Sequence, residues 1–144
     1  MPILNNQMMR EIIMDHYSHP NNKREPNNDK YQSIHMSSDN CIDNIEVFML
    51  SEGDKILDCC WTGIGCTITT ASTDIMCDLV IGKNKKEAED IINNYFAMIS
   101  EEQYDEEILE EANAFANTSK QAARIRCATI GWNAAKNLLG KNNG

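Results

Sequence analysis

The sequence lacks the features of a membrane protein, a nucleic-acid-binding protein or a secreted protein. No apolar run approaches the roughly 20 residues that a bilayer-spanning helix requires. Basic residues are few, with 13 Lys and Arg against 22 Asp and Glu and a formal charge of −9. Because phosphates are bound by clustered positive charge, this balance argues against a nucleic-acid partner. The start of the chain has no basic segment followed by an apolar core, so we expect a cytoplasmic protein.

CxxC pairs are also missing, although the chain has six cysteines. Their absence excludes a zinc ribbon and a thioredoxin-type motif. Because cytosolic thiols stay reduced, six cysteines in an acidic chain without a leader indicate metal or sulfur chemistry more than disulfides. Taken alone, each cysteine is better interpreted as a small buried apolar residue.

The length of 144 residues fits a single domain, which we assign to 1–144 with a core of about 7–140. Leu, Ile, Val and Phe make up about a fifth of the chain, at the lower edge for globular domains. Eight Met and six Cys supply further apolar volume. One modest hydrophobic core is therefore expected.

Hydrophobic periodicity predicts an α+β fold in which helices cover one side of a small antiparallel sheet of about three strands. Apolar residues recur at helical spacing in four segments, 7–17, 70–81, 85–99 and 119–139. Alternation over 44–62 predicts a β-hairpin. The polar stretch 20–40 is typical of a loop, and the chain is expected to stay extended through Thr67 and Ile68. Seven carboxylates in 101–111 indicate a solvated helix or loop.

Three cysteines stand in settings that suit a metal site. Cys41 and Asp43 are two residues apart, so in an extended chain their side chains point the same way. Cys66 follows a glycine-rich strand end, where backbone N–H groups can approach a sulfur closely. Cys127 is expected near the start of the last helix, where the helix dipole favours a thiolate.

Charge counting makes zinc plausible at this set. Three thiolates and one carboxylate around Zn²⁺ sum to −2, and Arg124 and Arg126 are the cations expected to balance that charge. Three sulfurs and one oxygen suit tetrahedral zinc. The spacing matches no local zinc signature, however, so buried structural thiols stay open as an alternative.

Several separated motifs carry a family resemblance. In chain order they are Met14-Asp15-His16-Tyr17 with Pro20 and Asn22, Cys41 with Asp43, Gly63-Ile64-Gly65-Cys66, Ala71-Ser72, Gly82-Lys83, and Arg124-Ile125-Arg126-Cys127-Ala128 with Trp132. With these motifs the chain resembles the SufU/IscU family, the iron–sulfur cluster assembly proteins that share the NifU N-terminal domain. The resemblance runs from about Ile12 to Leu139.

The resemblance implies a zinc ion held by Cys41, Asp43, Cys66 and Cys127. It also implies a SufS-type cysteine desulfurase as partner and downstream iron–sulfur assembly proteins as recipients. The implied activity is a zinc-dependent sulfurtransferase, in which the catalytic Cys41 thiolate takes sulfur from the persulfide of the desulfurase.

Within the family the SufU branch fits better. IscU-type scaffolds carry His directly before the third cysteine, where this chain has Arg126. SufU proteins have a longer segment between the second and third cysteines, and here the acidic stretch of about 101–118 is the natural insert. The alternative is an IscU-type scaffold that builds and transfers a [2Fe–2S] cluster, with iron on the same thiols. Ile42, where the family usually has Gly, leaves a third option, a member that only modulates the desulfurase.

The other candidate residues are interpreted structurally. His16 lies on an apolar helix face and is predicted to be packed and hydrogen-bonded, and His35 to be a surface loop residue. Cys59 and Cys60 are adjacent in a strand, so at most one is expected to meet the core. Cys60 stays open as an adventitious sulfur acceptor. Cys77 is predicted to be a core residue.

Overall fold

The structure, a computed structural model, describes residues 4–38 and 42–142, with side chains through Gly140. Its elements are α1 (Asn6–Ser18), β1 (Gln32–Ser37), β2 (Asn44–Glu52), β3 (Lys55–Ile64), α2 (Thr67–Val80), α3 (Lys85–Ile99), α4 (Glu106–Leu109), a 3₁₀ segment (Glu110–Lys120) and α5 (Ala122–Asn142). None of the helices in these ranges combines the length and apolar character needed to cross a bilayer.

The three strands form one antiparallel sheet in the order β1-β2-β3. The predicted hairpin is confirmed, with Val47 opposite Trp61 and both buried in the core. The expectation of a loop throughout 20–40 is wrong, because β1 pairs with β2 and places Ile34 opposite Val47. β1 is a half-polar edge strand, and such a strand gives only a weak pattern in the sequence.

The predicted helices are present, with shifted ends. α2 begins at Thr67, so the expected extended stretch through Thr67 and Ile68 is wrong. Cys66 caps this helix with its own side chain, a capping residue outside the usual set of Ser, Thr, Asp and Asn. α3 begins with a capping box formed by Asn84 and Glu87.

The acidic stretch is not simply a solvated surface. Leu109 is fully buried, and the 3₁₀ segment that follows buries Ala112 and Phe115 in the same core. The carboxylates are exposed, while an apolar side chain every few residues packs into the core. The stretch therefore contributes to the core packing of the fold.

A buried carboxylate on α2, Asp74, joins three other parts of the chain. Its Oδ2 accepts hydrogen bonds from His16 Nδ1 at 2.8 Å and the backbone N–H of Asn21 at 2.9 Å. Its Oδ1 accepts from the backbone N–H of Asn22 at 2.8 Å and from Trp61 Nε1 at 3.4 Å. These bonds tie α1, the loop after it and β3 to the middle of α2.

His16 is held between two carboxylates. It is buried, and its Nε2 lies 3.1 Å from Glu111 Oε1 while its Nδ1 contacts Asp74. The hydrogen bond to Asp74, helped by Glu111, raises the pKa of His16 from 6.5 to about 9 against the opposing effect of burial. The imidazolium in turn keeps the pKa of Asp74 below its usual value, although burial alone would raise it. The interpretation of His16 as a packed, hydrogen-bonded residue is confirmed.

The raised pKa of His16 predicts a stability that falls with alkaline pH. A group whose folded pKa exceeds its unfolded pKa stabilises fully below the unfolded value, 6.5, and loses that contribution as pH rises through about 9. The loss is up to about 3 kcal/mol in the free energy of unfolding. Denaturant unfolding between pH 6 and 10 measures it. His16→Gln should flatten this slope, whereas His19→Gln at the exposed C-cap of α1 should keep it. Equal slopes in all three proteins would contradict the assignment.

Candidate metal centre

Three potential metal ligands from distant segments meet at one end of the sheet. One oxygen of Asp43 and the sulfurs of Cys66 and Cys127 all lie within 4.8 Å of one another. They come from the residue before β2, the start of α2 and the second turn of α5. Packing of the sheet against α2 and α5 therefore brings together side chains that are far apart in the sequence.

The hairpin register positions Asp43. Asn44 pairs with Ile64 at the end of β3. Asp43, which precedes Asn44, therefore lies beside the segment that connects β3 to α2. Asp43 Oδ1 accepts the backbone N–H of Cys66 at 3.0 Å. Gly63 permits this close pairing, because it has φ +115° and a Cβ there would lie 2.2 Å from the carbonyl oxygen of Asn44.

Cys66 stands at the N-terminus of α2, where unpaired N–H groups point outward. Its sulfur accepts the backbone N–H of Thr69 at 3.5 Å and lies 3.4 Å from the Thr69 hydroxyl. The positive end of the helix dipole favours negative charge at this position. Cys66 is half-buried, so its sulfur is the more accessible of the two thiols.

Cys127 is buried on α5 and faces Cys66 and Asp43. Burial, with Cys66 and Asp43 as neighbours, raises the pKa of its thiol to about 12. The expectation that the helix start favours a thiolate at Cys127 is therefore wrong when only the protein's own groups act on the thiol. Cys127 lies beyond the first turn of α5, where the helix dipole is weak, and two acidic groups surround it. A thiolate at Cys127 requires a cation close by.

The donor set fits a soft divalent metal. Asp43 is 2% exposed, and its Oδ2 is buried with no hydrogen-bond partner among the described residues. A buried carboxylate oxygen without a partner is costly unless a cation compensates it. Two thiols and one carboxylate oxygen match the ligand types of tetrahedral zinc, and a fourth ligand would complete the set.

The other residues assigned to this site are less closely tied to it. Cys41 lies outside the described residues, so its part in the site stays a prediction. Arg124 and Arg126 are both exposed, and within residues 4–38 and 42–142 neither side chain forms an ion pair. Arg124 lies on the wall of a cavity of about 420 Å³ between α1, the 3₁₀ segment and α5. Charge balancing by the two arginines also stays a prediction.

A second group of metal-ligating side chains is explained by hydrogen bonds. Atoms of His16, Asp78 and Glu111 also lie within 4.8 Å of one another. Both ring nitrogens of His16 already contact carboxylates, and the Asp78 oxygens accept from the side-chain amides of Asn21 and Asn22. We therefore interpret this group as an ion-pair network.

The remaining cysteines are structural. Cys77 is a core residue, as predicted. Both Cys59 and Cys60 are fully buried, but of the two Cys59 alone belongs to the hydrophobic core, so the expectation that at most one would meet the core is confirmed. Cys59 faces the helices, while the opposite face at Cys60 is covered by Arg24, which forms a two-point ion pair with Asp58. Burial raises the pKa of Cys60 to about 11, which disfavours its reactive thiolate.

His35 is exposed as predicted, although it lies on β1 and not in a loop. Its Nε2 forms a hydrogen bond with the side chain of Asn44. Sequence reasoning missed Thr69, whose hydroxyl and N–H both contact the Cys66 sulfur. A Thr three residues after a helix-capping residue is the signal that points to it.

Comparisons with known proteins agree with this geometry. Residues 8–139 match the family described as the NifU-like N-terminal domain. The zinc-dependent sulfurtransferase SufU of Bacillus subtilis (strain 168) is 33% identical over 138 residues, which cover 95% of this chain and 92% of that protein. The iron–sulfur cluster assembly scaffold protein IscU of Streptococcus pyogenes serotype M1 is also 33% identical, over 93% of this chain and 84% of that protein.

A solved structure is similar over nearly the whole fold. It is described as a candidate iron–sulfur cluster assembly scaffold protein for the SUF system from Fervidobacterium islandicum AW-1. It is 29% identical, with a TM-score of 0.81 over 90% of this chain and 94% of that one. The chain belongs to the NifU-like N-terminal domain family, and the resemblance to SufU and IscU proteins is confirmed.

Asp43→Asn tests the carboxylate as a metal ligand. The amide keeps an oxygen to accept the Cys66 N–H but replaces the buried Oδ2 with a group that does not ligate. We expect metal retention to fall roughly 10-fold or more while the fold is kept. Metal content after dialysis against a chelator, with a thermal melt, measures both. The exposed Asp54→Asn is the control; equal retention in both variants would argue against Asp43 as a ligand.

Proposed function

We propose that the chain is a zinc-dependent sulfur acceptor in iron–sulfur cluster assembly. In this proposal it takes persulfide sulfur from a SufS-type cysteine desulfurase in the cytoplasm and passes it to downstream assembly proteins. The observation that carries the proposal is the cluster of the Asp43 carboxylate with the sulfurs of Cys66 and Cys127, in which Asp43 Oδ2 is buried and has no hydrogen-bond partner among the described residues. The 33% identity to a protein named a zinc-dependent sulfurtransferase supports it.

Cys41, Asp43, Cys66 and Cys127 are the residues that would hold zinc. When bound, zinc keeps thiols deprotonated near neutral pH and compensates the buried carboxylate. Asp43 is oriented for this by the hydrogen bond that its Oδ1 accepts from Cys66 N–H. Cys66 is fixed at the start of α2 and Cys127 within α5, so both are held by helices.

Cys41 is the residue assigned to sulfur transfer. Its thiolate attacks the outer sulfur of the donor persulfide, so that a new S–S bond forms on Cys41 and the donor S–S bond breaks. The donor cysteine leaves as a thiolate, and no net oxidation or reduction occurs. Asp43, Cys66 and Cys127 keep their places during this exchange, because the elements that carry them are packed in the core.

The alternative function is an IscU-type scaffold for a [2Fe–2S] cluster, since the IscU relative is equally identical. Arg126, where IscU-type scaffolds carry His, favours sulfur transfer. Purification without added metal separates the two. One tightly held zinc per chain and a colourless protein supports the sulfur acceptor, and a brown protein with bound iron and sulfide supports the scaffold.

The cysteines should divide by role. We expect Cys41→Ala to abolish stimulation of the desulfurase while the protein still folds. Cys66→Ala and Cys127→Ala should lose metal and stability together, and Cys59→Ala should keep activity as a buried control. Alanine release by the desulfurase with each variant, together with bound zinc, measures these effects. If Cys41→Ala stimulates turnover as well as the parent protein does, the acceptor mechanism is wrong.

Removal of the metal should loosen the whole domain. The ligands join three segments, so metal binding stabilises the folded state over the unfolded state. We expect the melting temperature to fall by several degrees on chelation, because about 1 kcal/mol shifts a domain of this size by about 2–4 °C. Asp43→Asn should respond less to the chelator than the parent. An unchanged melt of the parent would mean that the metal is absent or peripheral.

A further inference from the structure

A buried hydrogen-bond network lies behind the metal centre, where α2, α3 and α5 meet. The Ser72 hydroxyl on α2 donates to the carbonyl oxygen of Ala128 at 2.6 Å. The Tyr95 hydroxyl on α3 donates to the same oxygen at 2.7 Å. Trp132 Nε1 on α5 donates to Ser72 Oγ at 3.0 Å. Ala128 directly follows Cys127, so the network ends one residue from a proposed ligand.

The hydroxyls of Ser72 and Tyr95 also lie 3.2 Å apart, where either can donate to the other, so more than one arrangement of hydrogens satisfies the network. Each hydroxyl has a single proton, which it donates either to the Ala128 oxygen or to the other hydroxyl. Ser72 Oγ then accepts from the indole of Trp132, which is a donor only. The rings of Tyr95 and Trp132 stack with centroids 3.7 Å apart and planes 2° from parallel. Because every member is buried, any sliding of α5 along α2 would break several bonds together.

The two helices that carry the thiols also approach closely at this level. A Cβ on Gly131 of α5 would lie 2.3 Å from Thr73 Oγ1 on α2. Only glycine allows this distance, and Thr73 is the neighbour of Ser72. The contact fixes how far apart α2 and α5 lie, while the network fixes their relative position along the helix axes.

We propose that Ser72, Tyr95 and Trp132 are positioning residues that set the separation of the Cys66 and Cys127 sulfurs. Ser72 is on the helix that Cys66 caps, and Ala128 is joined to Cys127 by a peptide bond. The network therefore connects the two thiols through rigid helices. The effect of this sulfur–sulfur distance on metal retention rests on the proposed function. The control of the distance by the network does not.

Ser72→Ala and Tyr95→Phe test the proposal, because each removes a hydroxyl and little else. We expect zinc loss from the loaded protein to a chelator to be roughly 10-fold faster in each, as for other residues that orient metal ligands. Thr129→Val is the matched control. Its hydroxyl donates to the carbonyl oxygen of Ile125 at 2.8 Å, a bond within α5 that does not reach α2.

A second measurement needs no metal. In metal-free protein equilibrated with reduced and oxidised glutathione, the amount of Cys66–Cys127 disulfide reports how close the two sulfurs are held. Mass spectrometry of the linked peptides gives that amount. We expect Ser72→Ala and Tyr95→Phe to lower it severalfold and Thr129→Val to leave it near the parent value.

The outcomes separate the two proposals. If the parent protein retains no zinc, the proposed function is wrong, and the glutathione measurement still decides the positioning role. If Ser72→Ala and Tyr95→Phe change neither zinc loss nor disulfide formation beyond the Thr129→Val control at a similar melting temperature, the positioning role is overturned. A fall in melting temperature alone, equal in all three variants, would also overturn it, because it indicates a purely structural network.

Discussion

The buried carboxylate of Asp74 is the constraint on which the arrangement of the domain depends. It accepts four hydrogen bonds, from a histidine ring, an indole and two backbone N–H groups. These bonds use the acceptor sites of both carboxylate oxygens. Removing one partner from a buried charge pair costs about 3–5 kcal/mol, a large share of the stability of a small domain. α1, the loop after it and β3 are thus held in a fixed relation to α2.

α2 consequently serves as the frame of the metal centre. It is capped by Cys66, its middle presents Ser72 to α5, and the bonds to Asp74 hold it one residue beyond the Thr73 contact. It is buried on almost every side, yet it is rich in hydroxyl residues. Most of its buried polar atoms have partners, and Thr73 Oγ1, at the contact with Gly131, has none among the described residues.

Local periodicity was sufficient to predict the helices and the β2–β3 hairpin, because their apolar faces repeat with helical or alternate spacing. It was insufficient for β1, whose pairing with β2 depends on a partner distant in sequence. Alternation correctly separated Cys59 from Cys60, since of the two Cys59 alone packs in the hydrophobic core, but it did not show that Cys60 on the opposite face is buried as well. Asp74 gave no signal, because an Asp inside a helix normally indicates a surface position.

For the candidate site, spacing and resemblance together selected residues that the fold does bring together. Asp43, Cys66 and Cys127 meet as three groups, but no local spacing could show this, because the sheet and two helices must pack first. The effect of the helix on Cys127 was misjudged, since burial and acidic neighbours outweigh the dipole beyond the first turn. The Ser72 network depends on tertiary contacts in the same way, whereas Thr69 contacts Cys66 locally, three residues further along the chain.

The separation of the three ligands along the chain also has a consequence for biosynthesis. Asp43 and Cys66 leave the ribosome before Cys127, which lies on α5, a later element of the chain. A nascent chain therefore offers a passing metal ion only part of its donor set. The described donors of the candidate site come together only after α5 has been made and has docked, so this site would select its metal on a folded protein.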